Sequence, residues 1–167
     1  MDDGVEEEFT SFVMVHLAAL LRVAHALTGD RHAAEDLVQG ALAKAFVHWR
    51  RIRGEAEPYV RQILYRDSVS RWRRLGRRPE TPMAVPPETV WAGGDDPHLR
   101  LLLRDALLAL PPRQRAVLVL RYLEDLTVEE TADILGCRPG TVASQASRAL
   151  SKLRHTVPTQ FHPEVQR

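Results

Sequence analysis

Residues 126–154 decide the fold of this chain, and they read LTVEETADILGCRPGTVASQASRALSKLR. Thr127 and Glu130 form a T-x-x-E capping box, which predicts a helix beginning at Val128. Gly136 predicts the end of that helix, because glycine readily takes the left-handed conformation that closes a helix. The stretch therefore opens with one short helix.

A second helix is expected after a turn at residues 138–140, where an Arg-Pro-Gly tripeptide prevents continuation of the first. Thr141 is predicted to cap it. Its apolar residues fall on one stripe: Val142, Ala146, Ala149, Leu150 and Leu153. Its other face is small and basic: Ser144, Arg148, Ser151 and Lys152. This helix-turn-helix pattern favours entry into a DNA major groove, with a plain helical hairpin inside a bundle as the alternative.

The composition favours a helical protein. The chain has 167 residues, 44% hydrophobic and 6% aromatic, enough for one or two small domains. We expect no bilayer-spanning apolar run, and the acidic N-terminus, MDDGVEEEF, has the wrong charge for a secretory signal. A cytoplasmic location without membrane insertion is therefore expected.

Cysteine and histidine usage indicates no disulfide, metal or cofactor. Cys137 is the only cysteine. A small buried side chain in the turn is its expected role, with a redox sensor as the alternative. The seven histidines show no ligand spacing.

The net charge of +1 hides an uneven distribution. Residues 1–48 carry eight acidic and three basic residues, whereas residues 49–80 carry ten arginines and four acidic residues. The arginines are interleaved with aromatic side chains: Trp49, Tyr59, Tyr65 and Trp72. A solvated surface is the simpler explanation, but aromatic interleaving favours contact with unstacked bases.

Helical periodicity predicts a first helix over residues 6–28 and a second ending near Arg53 and Gly54. Gly40 interrupts the second and weakens it by about 1 kcal/mol relative to alanine. Pro58 can open a third helix. Residues 66–70, RDSVS, contain weak helix formers and are expected to form a loop or irregular turn before the basic cluster at residues 71–78.

The chain is predicted to be all-α, with two small helical domains at residues 1–78 and 98–157. Residues 79–97 contain five prolines and are predicted to be a linker. The second domain should open with a helix over residues 99–110, followed by one starting at Pro111 and Pro112 and by the helix-turn-helix. Residues 158–167 form a tail.

The order of these helical segments and of the linker resembles that of a sigma-70 family RNA polymerase sigma factor of the small extracytoplasmic-function (ECF) type. Residues 34–39, AEDLVQ, look like region 2.2. Arg53-Gly54 and residues 59–64, YVRQIL, look like regions 2.3 and 2.4. Residues 110–115, LPPRQR, followed by residues 117–122, look like region 4.1. Residues 140–142, GTV, with Ser144 and residues 148–150, RAL, look like the region 4.2 recognition helix. The serine-rich recognition helix and the W-R-R cluster are also similar to the sigma-E-like subgroup common in actinobacteria.

The resemblance implies a promoter-specificity subunit rather than an enzyme. Its partners would be core RNA polymerase, through the clamp helices of the largest subunit and the flap of the second-largest subunit, and promoter DNA. An anti-sigma factor is a further candidate partner, although no residue here indicates one. The residues that would dock on the polymerase are Glu35, Asp36, Gln39 and Lys44.

The resemblance also assigns promoter contacts. The −10 element would be held by the stretch after the third helix's apolar face: Tyr65, Arg66, Asp67, Ser68, Arg71, Trp72, Arg73 and Arg74. Trp72 has a second interpretation as a core residue. The −35 element would be contacted by the recognition helix through Thr141, Ser144, Gln145, Arg148 and Lys152.

Three positions depart from the family pattern. Gly40 stands where glutamate is common, so part of the clamp contact does not carry over. Arg66 stands where an asparagine is common, so the resemblance does not identify the captured base. Ala143 and Gln145 replace basic residues of the recognition helix, which predicts weak duplex binding by region 4 alone.

Two other functions compete with this interpretation. A stand-alone helix-turn-helix regulator would dimerise and bind a two-fold-symmetric site tightly without polymerase. A helical protein-interaction module would have no DNA role. Hydrolysis or group transfer is least favoured, because the sequence has no catalytic triad, metal cluster or phosphate-binding loop.

Overall fold

A computed structural model describes residues 3–52, 55–75 and 96–156, without the side chains of Trp72, Arg73 and Leu75. These residues form α-helices and short 3-10 and π-helical segments, and no strand occurs among them. The all-α prediction is confirmed. The chain divides into two compact units, residues 1–86 and 87–167, and the predicted linker and tail lie largely outside the described residues.

The first unit contains three helices that pack on one another: α1 (Asp3–Thr28), α2 (Arg31–Val47) and α3 (Ala56–Leu75). Gly29, with a φ of 70°, ends α1 as predicted. Asp30 then caps α2 by accepting a hydrogen bond of 2.8 Å from the Ala33 amide. α1 begins three residues earlier than the periodicity predicted.

The predicted end of α2 is wrong. The helix stops at Val47, and the His48 amide bonds to the carbonyls of Ala45 and Phe46, which tightens the backbone into a 3-10 turn at Trp49–Arg51. Arg53 and Gly54, the predicted end, lie outside the described residues. Trp49 then packs edge-on against Phe9 of α1, with ring centroids 5.0 Å apart.

The expectation of no bilayer-length apolar run is also corrected. α1 is long and apolar enough to cross a membrane, with a mean hydropathy of 1.5 over its most apolar window. Its C-terminal half buries Leu20, Val23, Ala24 and Leu27 in the first unit. That half packs as part of a helical core, whereas Met14 and Val15 in the other half are exposed.

The second unit contains α4 (Pro97–Leu108), α5 (Pro112–Leu118), α6 (Val128–Leu135) and α7 (Pro139–Thr156). Asp96 caps α4, so that helix begins two residues before the predicted start. α5 starts at Pro112 as predicted and continues as a π-helical segment, Val119–Leu123, which the sequence did not indicate.

The helix-turn-helix forms from the local signals in its sequence. Both reciprocal bonds of the capping box are present, at 2.8 Å to the Thr127 amide and 3.1 Å to the Glu130 amide. Gly136 has a φ of 64° and closes α6 in the left-handed conformation. Cys137 is half-buried in the turn and packs against the cluster formed by Val117 and Val142.

Candidate functional site

The outward face of α7 is polar and basic, as its sequence predicted. Ser144, Arg148 and Lys152 are exposed, whereas Val142 and Ala149 on the opposite side are 0% exposed. The inner stripe packs against α5 and α6. The fold therefore fixes α7 by its apolar side and leaves its cationic side open to a polyanion.

The start of α7 differs from the prediction. Pro139 occupies the first turn, and the Arg138 carbonyl accepts bonds from the amides of Thr141 (2.9 Å) and Val142 (3.2 Å). Thr141 is therefore not the cap, because the fixed φ of proline lets the helix begin before it. Thr141 and Gln145 are only half-exposed, so they present less surface than the other predicted −35 contacts.

Two further residues belong to the same outward face. Ala143 and Ser147 are exposed and were not among the predicted contacts. Ser147 lies three residues after Ser144 and four before Ser151, a spacing that places all three on one side of a helix. That spacing was visible in the sequence and could have identified Ser147.

Arg115 supports the second unit from inside. Its guanidinium donates to the carbonyls of Leu107 (3.0 Å), Leu108 (2.9 Å) and Leu110 (3.0 Å). These carbonyls belong to the end of α4 and the following turn, where helical donors run out. Desolvation by burial lowers the pKa of Arg115 to about 10, so the side chain stays charged at neutral pH.

In the first unit, predicted docking and promoter residues meet in one groove. Between α2 and α3 lies an open cavity of about 330 Å³, lined by Asp36, Leu37, Gly40, Lys44, Asp67, Arg71 and Arg74. Lys44 donates to both carboxylate oxygens of Asp67, at 2.8 and 2.6 Å. A longer ion pair, 3.7 Å, joins Asp36 to Arg71. The sequence did not indicate these pairings, because they join residues far apart in the chain.

The expected loop at residues 66–70 is wrong. α3 runs through it to Leu75, and Ser68 bonds back to the Tyr65 carbonyl at 2.8 Å, within the helix. Leu64 and Tyr65 are both 0% exposed, and their burial outweighs the weak helix propensity of the serines. Burial also removes the Tyr65 ring from the predicted set of DNA contacts.

The remaining predicted −10 residues lie along α3. Arg66 and Arg74 are exposed, and Arg71 and Asp67 are half-exposed in the groove. The half-exposed Ser68 uses its hydroxyl within the helix. The side chains of Trp72 and Arg73 lie outside the described residues, so the two interpretations of Trp72 stay open.

The predicted docking residues of α2 differ in their surroundings. Asp36 and Gln39 are exposed, and Glu35 is half-exposed and ion-paired with Arg31 at 2.9 Å. Lys44 is bound to Asp67 of α3, and Asp36, although exposed, also pairs with Arg71 of α3 at 3.7 Å. An exposed acidic and amide surface on α2 is therefore available to a partner, and Lys44 is engaged elsewhere.

Comparison with known families matches both units. Residues 12–78 match the family described as Sigma-70 region 2, and residues 100–153 match Sigma-70, region 4. Both matches occur in the order that the resemblance implied.

Individual proteins are similar over most of the chain. An RNA polymerase sigma-E factor of Streptomyces coelicolor is 39% identical over 88% of this chain and 84% of that protein. The ECF RNA polymerase sigma factor SigL of Mycobacterium tuberculosis is 35% identical over 85% of this chain and 84% of that protein.

A solved structure shares the fold. The sigma factor RpoE of Bartonella quintana, determined in complex with the anti-sigma factor NepR, aligns with a TM-score of 0.72 and 27% identity. The alignment covers 90% of this chain and 96% of that one. With region 2 and region 4 both matched, this chain belongs to the ECF group of sigma-70 family RNA polymerase sigma factors.

Proposed function

We propose that this sigma factor divides its work between its two units. Residues 1–78 dock on core RNA polymerase and hold the −10 element, and residues 98–157 contact the −35 element. The observation that carries the proposal is the exposure of Arg148 and Lys152 on α7 in a chain that also has a region 2 unit with an exposed acidic surface on α2. A stand-alone regulator has no use for the second feature.

In the region 4 unit, Arg148 is the principal reader of the −35 duplex. Arginine pairs with both acceptors of a guanine edge in the major groove, and its planar guanidinium fixes that geometry more rigidly than the flexible ammonium of lysine does. Ser144 and Lys152 flank it and contact bases or phosphates nearby. The half-buried Thr141 and Gln145 contribute less.

In the region 2 unit, the −10 strand lies along the exposed arginines of α3, Arg66 and Arg74, with Arg71 beside them. Asp36 and Gln39 dock on the clamp helices of the polymerase, with Glu35 at the edge of that contact. Tethering then raises the effective concentration of one unit once the other is bound, so two weak contacts suffice.

The proposal also covers partners and location. The Bartonella relative was solved with an anti-sigma factor, and the likeness in fold supports a similar partner for this chain. The chain acts without catalysis of its own, in the cytoplasm, where the polymerase and promoter DNA are found.

Site-specific photo-cross-linking tests the division of work. Arg66 or Ser144 is replaced by a photo-reactive amino acid, and the variant is bound to polymerase on a transcribed promoter. We expect position 66 to cross-link to the −10 region and position 144 to the −35 region. The same replacement at Glu7 on α1 serves as the control and should give no cross-link to DNA. Cross-linking of both positions to the same element would contradict the proposal.

A further inference from the structure

The side chain of Lys44 lies in the α2–α3 groove, away from Glu35 and Gln39; Asp36 is the one other predicted docking residue among those that line the groove. At 100° per residue, Lys44 lies about 140° around the helix from Gln39 and about 180° from Glu35. It lies within about 40° of Leu37 and Gly40, which line the groove. Lys44 therefore cannot share one flat contact with Glu35 and Gln39.

Within the groove, Lys44 binds Asp67 with both carboxylate oxygens in range, at 2.8 and 2.6 Å. The Asp67 side chain is 26% exposed and that of Lys44 is 58% exposed. The pair is thus accessible from the solvent side of the groove, and Asp67 is the more enclosed partner.

Asp67 stands in a basic stretch of α3. Arg71 and Arg74 line the same groove, and Arg66 precedes Asp67 directly in the chain. A carboxylate at this place repels the phosphates that the arginines attract. The ammonium of Lys44 supplies the opposing charge from α2 and holds the carboxylate in one position.

We propose that Lys44 is a positioning residue of the promoter-contacting surface and not a polymerase contact. It acts through Asp67: it offsets the charge of that carboxylate and fixes it against α2 while the −10 strand lies on α3. The proposal rests on the proposed role of α3 in −10 binding.

A double-mutant cycle on the full-length chain tests this role. The variants are Lys44→Met, Asp67→Asn and the two combined, each assembled with core polymerase. Promoter opening is measured by permanganate reactivity of unpaired thymines near −10, and polymerase association is measured separately by fluorescence anisotropy. The melting temperature of each free variant reports any loss of fold.

We expect Lys44→Met to lower the equilibrium constant for opening by about threefold to tenfold, with polymerase association and melting temperature unchanged. In the Asp67→Asn background, the same substitution should change opening by less than about twofold. In the otherwise native chain, Lys44→Arg should keep promoter opening at the native level, because arginine also pairs with a carboxylate. Arg22→Met, which removes an exposed cation of α1 outside the groove, should leave opening unchanged.

Two results would overturn the proposal. One is an equal loss of opening from Lys44→Met in both backgrounds. The other is a loss of polymerase association from Lys44→Met, which would make Lys44 a docking residue. Failure of the proposed role of α3 looks different, because Arg66→Ala and Arg74→Ala would then leave opening unchanged in the otherwise native chain.

The pairing itself is measurable without polymerase. The side-chain amine signal of Lys44 in the nuclear magnetic resonance spectrum of the free protein should shift when Asp67 becomes asparagine, and the Arg22→Met control should leave it in place. An unchanged Lys44 signal in Asp67→Asn would rule out the pairing and, with it, the proposal.

Discussion

Arg115 shows how much one side chain contributes to the second unit. Its guanidinium donates to three carbonyls at the end of α4 and in the following turn. Pro111 and Pro112, four residues after Leu107 and Leu108, have no amide hydrogen to donate to those two carbonyls, and the Leu107 carbonyl also accepts from the Leu110 amide at 3.0 Å. A guanidinium offers five donors in a fixed plane, so it can serve several acceptors at once. The corner between α4 and α5 therefore depends on this residue.

Replacing Arg115 by methionine keeps the volume and removes the donors. We expect the free energy of unfolding to fall by about 2–4 kcal/mol, because three carbonyls lose a charged hydrogen-bond donor. Chemical denaturation measures the loss, with exposed Arg113→Met as the matched control. Equal stability of the two variants would show that the bonds of Arg115 are dispensable.

The charge of Arg115 should add no pH dependence to folding near neutrality. Its folded-state pKa, lowered to about 10 by burial, lies below the value in the unfolded chain. The unfolded state therefore binds more protons than the folded state only above a pH of about 10. Above that pH, and not near neutrality, this group makes the free energy of unfolding rise with pH.

Arg148 is the residue on which −35 contact depends most. Arg148→Ala should weaken region 4 binding by about 1–3 kcal/mol, the range for loss of a bidentate base contact. Footprinting of the polymerase-bound promoter should show reduced protection at −35 and retained protection at −10. Uniform loss across both elements, or a similar effect from Arg113→Ala, would argue against a specific contact.

At the scale of helices, local signals predicted the second unit better than the first. The capping box at Thr127 and the left-handed Gly136 act within a few residues of themselves, so both ends of α6 were predicted correctly. Residues 66–70 were predicted wrongly because burial of Leu64 and Tyr65 against other helices, which no local pattern reveals, overrides the propensity of the serines. The ion pairs across the α2–α3 groove could not be predicted from the sequence for the same reason.

Gly40 is a helix-interior glycine without a packing reason. A Cβ built there meets nothing within 4 Å. Gly40→Ala should therefore raise the free energy of unfolding by about 1 kcal/mol, through lower backbone entropy of the unfolded chain. Denaturant titration measures the change in the free energy of unfolding. Gly136→Ala is the contrasting variant and should destabilise the protein, because Gly136 has a φ of 64°. A Gly40→Ala variant less stable than the native chain would contradict the expectation.

The exposed face of α2 should carry polymerase docking. Asp36→Lys combined with Gln39→Lys should weaken association with core polymerase at least tenfold, since like charge at an interface costs several kcal/mol. Co-purification with core polymerase measures the association. The control variant, Glu7→Lys with Glu8→Gln on α1, has the same change in net charge. Unchanged co-purification of the α2 variant would remove α2 from the docking surface.

At the scale of the whole molecule, family membership came from the order of several modest motifs. The region 2.2 and region 4.2 resemblances are each short, but together with the Pro-rich segment between them they predicted the two-unit, all-helical architecture. The sequence could not predict which charged residues remain available to partners, because that depends on pairs such as Lys44 with Asp67. Two small units tethered on one chain fit a protein that gains specificity on a larger machine.

Reconstituted transcription tests the central claim most directly. Purified chain is added to sigma-free core polymerase on a library of templates with randomised upstream sequence, and the transcripts are sequenced. We predict selective initiation, with two enriched sequence elements separated by a fixed spacing. Failure of the chain to associate with the polymerase, together with no enrichment over core polymerase alone, would contradict the account.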